Sequence, residues 1–194
     1  MRRPTSEELA AAAGRSIPDV IAPNLRLLLV GINPGLYSGA TGYHFARPGN
    51  RFWPALHGAG FTPRLFAPDE VSDLLALGLG ITNLVERTTA TAAELGREEL
   101  RDGASRLASK VERWTPGVVA ILGVAAYRAA FDRPKAGLGH QPDDIGGRPA
   151  SVLPNPSGAN ANYQLPDLIE LYGSLRAAID SVVLPVPAPL HDGR

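Results

Sequence analysis

Short apolar runs without polar alternation recur along the chain, and stretches with helical periodicity separate them. Four such runs predict buried strands over residues 25–30, 78–85, 117–122 and 150–153. Helices are expected over 51–58, 68–77, 97–114 and 124–131, and from Pro166 to about Ile179. Thr5 and Glu8 form a capping-box pattern that predicts a further short helix near the amino terminus. The alternation predicts an α/β fold, a three-layer α/β/α sandwich around a central, mainly parallel, four-stranded sheet.

Composition narrows the chemistry that this fold can carry. The 194 residues include no cysteine, which excludes disulfides, thiolate nucleophiles and cysteine-ligated metals. The four histidines (44, 57, 140 and 191) lack metal-ligand spacing, so neither a metal site nor a cofactor is expected. No apolar run approaches the length of a membrane span, and the amino terminus lacks the apolar segment of an export signal. We therefore expect a cytoplasmic protein with no membrane partner.

The net charge is zero, but the acidic residues are unevenly distributed. No Asp or Glu occurs over residues 20–68 or 145–166. These two windows contain five arginines: Arg26, Arg47, Arg51, Arg64 and Arg148. A surface built from both windows would be locally positive and would suit a phosphate-bearing ligand. From charge alone, the alternative that strands and tight loops simply carry few charges is equally good.

Each window also contains an Asn-Pro pair directly after a predicted strand, at Asn33-Pro34 and Asn155-Pro156. Ligands of parallel sheets bind at the carboxyl ends of the strands, so both turns are expected to face one cleft. Proline holds each preceding Asn out of the α region. A carboxamide there can donate and accept at once and can hold a water or a flat heterocycle, but it is not a general base. The alternative is a pair of Asx-type turns with no role beyond structure.

Two further features of the first window bear on a ligand. Glycines at 31, 35, 39 and 42 suggest a phosphate cradle, although the run lacks both the P-loop and the dinucleotide-binding pattern. Phe45 could stack on a base while Arg47 and Arg51 reach phosphates, or it could be a core residue.

Four segments taken together, GINPG, TGYHFARPGNRFW, GITNLVERTT and LPNPSGAN, resemble the mismatch-specific uracil-DNA glycosylase and thymine-DNA glycosylase family. This family is a branch of the uracil-DNA glycosylase superfamily. The resemblance divides the chain into an N-terminal extension over 1–17, a DNA glycosylase domain over 18–183 and a Pro-rich tail over 184–194. It implies a cleft that receives one flipped-out base and hydrolysis of the bond between base and deoxyribose.

The resemblance also implies roles for individual residues. Asn33 matches the position that orients the attacking water, which suits a dissociative reaction that needs a positioned rather than a deprotonated water. The residues implied to bind the base are Ile32, Gly35, His44, Phe45, Asn83 and Asn155. The residues implied to contact DNA are Ser157, Gly158, Ala159, Asn160, Arg47 and Arg51. The implied partner is double-stranded DNA with a G·U or G·T mispair, or single-stranded DNA, and the implied state is a monomer.

One position departs from the family pattern. A Leu or Arg commonly follows NPSG and fills the gap left by the extruded base, whereas Ala159 stands here. Asn160, Asn162 or Tyr163 could replace that wedge, or flipping could depend on weak pairs, and weaker duplex binding is expected. The base could be uracil, thymine or a damaged pyrimidine. Two alternative functions remain open at this point, a non-catalytic DNA-binding module of the same fold and a nucleotide-binding small-molecule enzyme.

Overall fold

The computed structural model describes residues 2–181, so the predicted Pro-rich tail lies outside the described residues. The central sheet has five strands: β1 (Leu27–Gly31), β2 (Leu79–Asn83), β3 (Val118–Leu122), β4 (Gly139–His140) and β5 (Ala150–Leu153). Their order is β2-β1-β3-β5-β4, in which the first four strands are parallel and β4 runs antiparallel to β5. The mainly parallel sheet is thus confirmed.

The predicted number of strands is too low by one. The four apolar runs all form strands, while the additional strand β4 contains only Gly139 and His140. Two residues, one of them glycine, carry no periodicity that could reveal a strand, and β4 exists because its backbone pairs with Ser151 and Val152 of β5.

Within residues 2–181, six α-helices surround the sheet: α1 (Ser6–Ala11), α2 (Leu36–Thr41), α3 (Phe52–Gly58), α4 (Arg97–Trp114), α5 (Val124–Ala130) and α6 (Leu165–Ser181). Two 3₁₀ helices span Pro68–Leu77 and Ala92–Glu94. The capping box of α1 forms as predicted, because the Thr5 side chain accepts from the Glu8 backbone and the Glu8 carboxylate accepts from the Thr5 backbone. None of the helices in the described part of the chain is long and apolar enough to cross a membrane.

The sheet separates two apolar cores, which makes the architecture a three-layer sandwich. Leu27 and Leu29 of β1 pack in the core shared with α3 and α6, while Leu28 and Val30 pack in the core shared with α4 and α5. Successive side chains of a strand point to opposite faces, so a strand that is apolar throughout can serve both cores. The burial of every residue of β1 follows from this position at the centre of the sheet.

Helix α2 was not expected, because the glycine-rich run that follows β1 reads as a loop. Gly35 precedes the helix, and Gly42 ends it in the left-handed conformation with a φ of 80°. Gly39 within the helix is required by packing, since a Cβ there would lie 2.6 Å from the Thr88 hydroxyl. The glycines therefore build a short helix against the loop over 84–91 rather than a free phosphate-binding loop.

Candidate active site

A cleft of about 720 Å³ opens at the carboxyl ends of β1 and β2. Both Asn-Pro turns reach it, although they are more than a hundred residues apart in the sequence. The predicted site residues that line it are Ile32, Asn33, Gly35, His44, Phe45, Arg47, Asn83, Asn155, Ser157, Ala159 and Asn160. Two predicted site residues, Arg51 and Gly158, are not part of its walls.

Asn33 is held through its amide nitrogen by the loop over 84–91. Its Nδ2 donates to the Thr89 hydroxyl at 2.7 Å and to the Arg87 carbonyl at 3.0 Å, with a longer contact of 3.2 Å to the Pro34 carbonyl. The Oδ1 atom has no hydrogen-bond partner among the residues that the structure describes. Anchoring the donor leaves a neutral acceptor whose orientation is set before any ligand arrives.

Thr89 fixes this orientation because its own proton is already used. The Thr89 hydroxyl donates to the Thr91 carbonyl at 2.8 Å, so towards Asn33 it can only accept. The backbone N–H of Thr89 donates to the Pro34 carbonyl at 3.1 Å, which ties the two loops together a second time. Thr89 is only 2 % exposed. Water therefore competes little for these bonds.

The loop that carries Thr89 is itself held from two sides. The Arg87 guanidinium donates to both oxygens of Glu99 on α4, and this pairing holds the pKa of Glu99 below its usual value. On the other side, the Thr88 N–H and hydroxyl both donate to the Arg15 carbonyl at 2.7 Å, and the Gly14 N–H donates to the Thr88 carbonyl at 2.9 Å. The segment before residue 18 thus supports the loop that orients Asn33.

The floor of the cleft is formed by Asn83 at the end of β2. The residue is 8 % exposed, and its side-chain amide forms no hydrogen bond within the described residues. Gly31 is required beside it, because a Cβ at that position would lie 2.5 Å from the Asn83 Oδ1 and 3.3 Å from the Phe45 Cζ. An amide that the protein does not bond, at the wall of a cleft, is available to a ligand with complementary donors and acceptors.

Phe45 provides a flat apolar wall. Its ring stacks on Phe52 with centroids 4.0 Å apart and planes inclined by 15°, and the residue also lines the cleft. The φ of Phe45 is 52°, a left-handed conformation that is unusual for an aromatic residue. Its N–H has no partner among the described residues. Such backbone strain is typical of functional sites, where the surrounding packing maintains it.

His44 is a buried neutral residue. It is 2 % exposed, and its Nε2 lies 2.9 Å from the Pro18 carbonyl. A carbonyl can only accept, so Nε2 carries the proton. Burial lowers the pKa of the imidazole below its usual value, which keeps the ring neutral at neutral pH. His44 therefore shapes the cleft without contributing a charge.

The chemistry of the cleft is largely uncharged. Among its described lining residues there is no Asp, Glu, Lys or Cys, and Arg47 is the one permanent charge. Nor is there, in the part of the chain that the structure describes, any group of three or more His, Asp or Glu side chains placed to hold a metal ion. The cleft lining thus offers no residue for base catalysis by a carboxylate or for covalent catalysis by a thiol or an amine, whereas Asn33 offers an amide that can position a water.

The second Asn-Pro turn closes on itself. The Asn155 Oδ1 accepts from the Ser157 N–H at 2.9 Å, which is an Asx turn, and the Asn155 carbonyl accepts from the Asn160 amide at 2.9 Å. The Ala159 N–H contacts the Ser157 hydroxyl at 3.3 Å, and Ala159 itself is exposed. The purely structural interpretation of the turns thus describes the bonding of Asn155 but not that of Asn33.

The two arginines expected to reach phosphates differ in position. Arg47 is exposed at the lip of the cleft, and its guanidinium has no hydrogen-bond or ion-pair partner within the described residues. Arg51 turns inward, and its guanidinium donates to the carbonyls of Ser157, Asn160 and Tyr163. The prediction that Arg51 reaches a phosphate is corrected on this ground, because its donors are taken up by the protein backbone.

Gly158 is exposed outside the cleft wall, so its predicted contact with DNA stays a prediction. A Cβ there would lie 2.8 Å from the Gly49 carbonyl, so glycine permits close packing of two loops. A further correction concerns the expected positive surface. Arg26 and Arg64 do not add charge to the cleft, since they pair with Asp180 and Glu70. Arg148 is likewise not part of the cleft wall, so Arg47 alone of the five arginines in the acid-free windows lines the cleft.

Sequence reasoning missed the residues that orient Asn33. Thr89 and the Arg87 carbonyl lie in the ERTT segment, which entered only through a family resemblance. Leu9 and Ile17 also line the cleft, although they precede the predicted domain. Isolated apolar residues and a backbone carbonyl carry no sequence signal that would identify them.

Two comparisons with known proteins match this architecture. The family model described as the uracil DNA glycosylase superfamily matches residues 18–176. A candidate uracil DNA glycosylase from Methanosarcina acetivorans, determined by solution NMR, is similar with a TM-score of 0.54 and 20 % sequence identity. The match covers 84 % of this chain and 98 % of that one. At this identity the structural likeness shows a shared fold.

Proposed function

The chain belongs to the uracil DNA glycosylase superfamily, and we propose that it hydrolyses the N-glycosidic bond of uracil mispaired with guanine in DNA. Superfamily membership supports DNA as the partner and a hydrolytic DNA glycosylase as the class of enzyme. The mispair preference rests on the resemblance of GINPG, GNRFW and GITNLVERTT to the mismatch-specific branch. Thymine and damaged pyrimidines are further candidate bases.

The proposed reaction begins with extrusion of the target base into the cleft. The bond to be broken is inaccessible inside a stacked duplex, and a mispaired base costs less to extrude than a paired one. Phe45 would stack on the extruded pyrimidine. The Asn83 amide and the N–H groups of Phe45 and Ile32 would bond the polar edge of the base. The Ile32 carbonyl is not available for this, because it already accepts from the Val85 N–H.

Asn33 would then hold the attacking water through Oδ1. As the base leaves with the electrons of the C1′–N1 bond, the deoxyribose becomes oxocarbenium-like, and the water oxygen adds to C1′. The proton released from the water passes to solvent or to the departing base. Because the departing base takes the bond electrons and leaves an electron-poor C1′, even a neutral water can add to it, and the water needs positioning more than deprotonation. Donors to the base edge would stabilise the negative charge that develops there.

The observation that carries this proposal is the bonding of Asn33. Its Nδ2 is anchored to Thr89 and Arg87, and its Oδ1 is left without a partner in an otherwise nearly uncharged cleft. An oriented neutral acceptor is what a positioned water requires. A nucleotide-binding enzyme would need phosphate ligands, and the glycines that suggested such ligands are used to build helix α2.

A base-release assay tests the proposal. The substrates are duplexes with one G·U, G·T or A·U pair and the corresponding uracil-containing single strand, with strand cleavage at the resulting abasic site as the readout. We expect release from the G·U duplex, and a rate roughly a hundredfold lower for Asn33→Ala because the water is no longer held. If the wild-type protein released no base from any of these substrates, the proposal would be wrong.

A further inference from the structure

The Arg51 side chain connects the segment that precedes helix α3 to the loop that follows strand β5. Its guanidinium donates from Nη1 to the Tyr163 carbonyl and from Nη2 to the carbonyls of Ser157 and Asn160, the last at 2.8 Å. These three acceptors lie more than a hundred residues after Arg51 and belong to one loop, residues 155–163. One side chain therefore sets the direction of three peptide groups in the loop that contains Ala159.

The backbone around Arg51 reinforces this arrangement. The Arg51 N–H donates to the Pro156 carbonyl at 3.0 Å, and Gly158 packs so closely on the Gly49 carbonyl that no side chain fits. Residues 49–51 and the loop 155–163 thus interlock through main-chain contacts as well as through the guanidinium.

Because peptide groups are planar, these contacts also fix the direction of N–H groups on the solvent-facing side of the loop. In a trans peptide group the C=O of one residue and the N–H of the next point in opposite directions, and the described residues contain no cis peptide bond. Drawing the Ser157 and Asn160 carbonyls towards Arg51 therefore turns the N–H groups of Gly158 and Ala161 away from it. Both residues are exposed, and neither N–H has a partner among the described residues.

The charge of Arg51 is not neutralised by a carboxylate. Within the described residues it forms no ion pair, and its Nε is buried without a hydrogen-bond partner. Its Nη atoms donate to three backbone carbonyl oxygens, which are neutral acceptors, so the positive charge beneath the loop remains. Outward N–H groups over a cation favour an anion.

We propose that Arg51 is a positioning residue, which holds the loop 155–163 in the conformation that presents the Gly158 and Ala161 N–H groups to a DNA phosphate. This inference rests on the proposed function, because it takes DNA as the ligand. Arg51 acts through the loop and not by touching the phosphate. A planar guanidinium that reaches three carbonyls at once is essential to this role, and a lysine ammonium cannot reproduce it.

Lysine substitutions at Arg51 and Arg26 form a matched test. The probe is a duplex with a tetrahydrofuran abasic analogue opposite guanine, which the enzyme cannot hydrolyse. Arg26 pairs with Asp180 at the opposite end of the sheet and does not line the cleft, so the affinity of Arg26→Lys should stay within about threefold of the wild type. Arg51→Lys also keeps a charge but loses the fork, so its affinity should fall at least roughly tenfold. Wild-type affinity of Arg51→Lys would overturn the inference.

A rate measurement separates positioning from general damage. In single-turnover base release at saturating protein, Arg51→Lys should react within about threefold of the wild-type rate, because Asn33 is anchored by a different loop. A loss of the maximal rate with unchanged affinity would contradict the proposed role. Thermal unfolding of each variant shows whether it is folded at the assay temperature.

A second pair of variants leaves Arg51 intact. Ala161→Glu places a carboxylate beside the proposed phosphate position and should lower duplex affinity at least roughly tenfold by repulsion. Ala177→Glu is its control, since Ala177 is exposed on α6 near Asp180, which pairs with Arg26 at the other end of the sheet. Equal affinities of the two glutamate variants would overturn the inference even if Arg51→Lys failed to fold.

The proposed function and this inference can fail separately. If the wild type binds the duplex but releases no base, the glycosylase proposal is wrong, while the two affinity comparisons still decide the role of Arg51. If the wild type releases base and the loop variants bind normally, the glycosylase proposal stands and the role of Arg51 is wrong. If the wild type binds no duplex at all, both are wrong.

Discussion

The amide of Asn33 is held by Arg87 and Thr89, which lie 54 and 56 residues further along the chain, whereas the side chain of Asn155 bonds within its own loop. Both residues precede a proline and follow a buried strand. In the first turn the amide nitrogen is used and the oxygen is left without a partner, while in the second the oxygen is used. The same dipeptide therefore presents opposite chemical groups.

This difference assigns different tasks to the two turns. An amide anchored from a separate, buried loop is oriented independently of its neighbours, which suits a group that must hold one water in place. An amide that closes an Asx turn shapes the backbone around it, which suits a loop that contacts an extended ligand. Substitutions at four positions test this division between reaction and binding.

Replacing Asn33 should have the largest effect. Asn33→Ala removes the acceptor for the water, so the single-turnover rate of base release should fall by roughly two orders of magnitude. Affinity for the abasic-analogue duplex should change by less than about threefold, because an oriented water contributes to the reaction more than to binding. A large loss of affinity together with the loss of rate would contradict the division.

Removing the anchor of Asn33 should have the next largest effect. Thr89→Val keeps the shape but loses the hydroxyl that accepts from Nδ2, so the rate should fall roughly tenfold as the amide loses its fixed orientation. Thr89→Ser retains the hydroxyl and is the control, with a rate close to that of the wild type. Equal rates of the valine and serine variants would show that the Arg87 carbonyl alone orients Asn33.

Asn155→Ala should show the reverse pattern at smaller amplitude. Losing the Asx hydrogen bond from the Ser157 N–H should destabilise the DNA-binding conformation of the loop by about 1 kcal/mol, so duplex affinity should fall about fivefold. The maximal rate should stay the same, since Asn33 is bonded elsewhere. Fluorescence anisotropy with the abasic-analogue duplex measures the affinity, and Ser109→Ala, at an exposed position of α4 outside the cleft, is the control. A lower maximal rate would show that Asn155 takes part in the reaction.

The smallest effect is expected at the tip of the second loop. Ala159 is exposed and too small to fill the gap left by a flipped base. Ala159→Leu should tighten duplex binding by about threefold through the apolar area that it buries in the duplex. Ala177→Leu, on the far end of α6, adds the same side chain away from the DNA and should leave affinity unchanged. If Ala159→Leu changed neither affinity nor turnover, the position would not act as a wedge.

Much of the fold could be predicted because its signals are local. The helix over 97–114 and the strand over 150–153 have the predicted bounds, since a long apolar stripe and an unbroken apolar run are read within one segment. Strand β4 and helix α2 were missed, because a two-residue strand depends on its pairing partner and a glycine-rich helix depends on the surface against which it packs.

For the site, the order of the amino acids establishes which chemical groups are available: two Asn-Pro turns after strands, an aromatic residue, no thiol and few acidic residues nearby. How those groups are used depends on the folded molecule. It joined Asn33 to Thr89, turned Arg51 from the solvent into the loop 155–163 and brought Leu9 and Ile17 into the cleft wall. The physical reason is that the direction of an amide or guanidinium is set by partners distant in the chain, and those partners are backbone carbonyls and hydroxyls that any sequence contains.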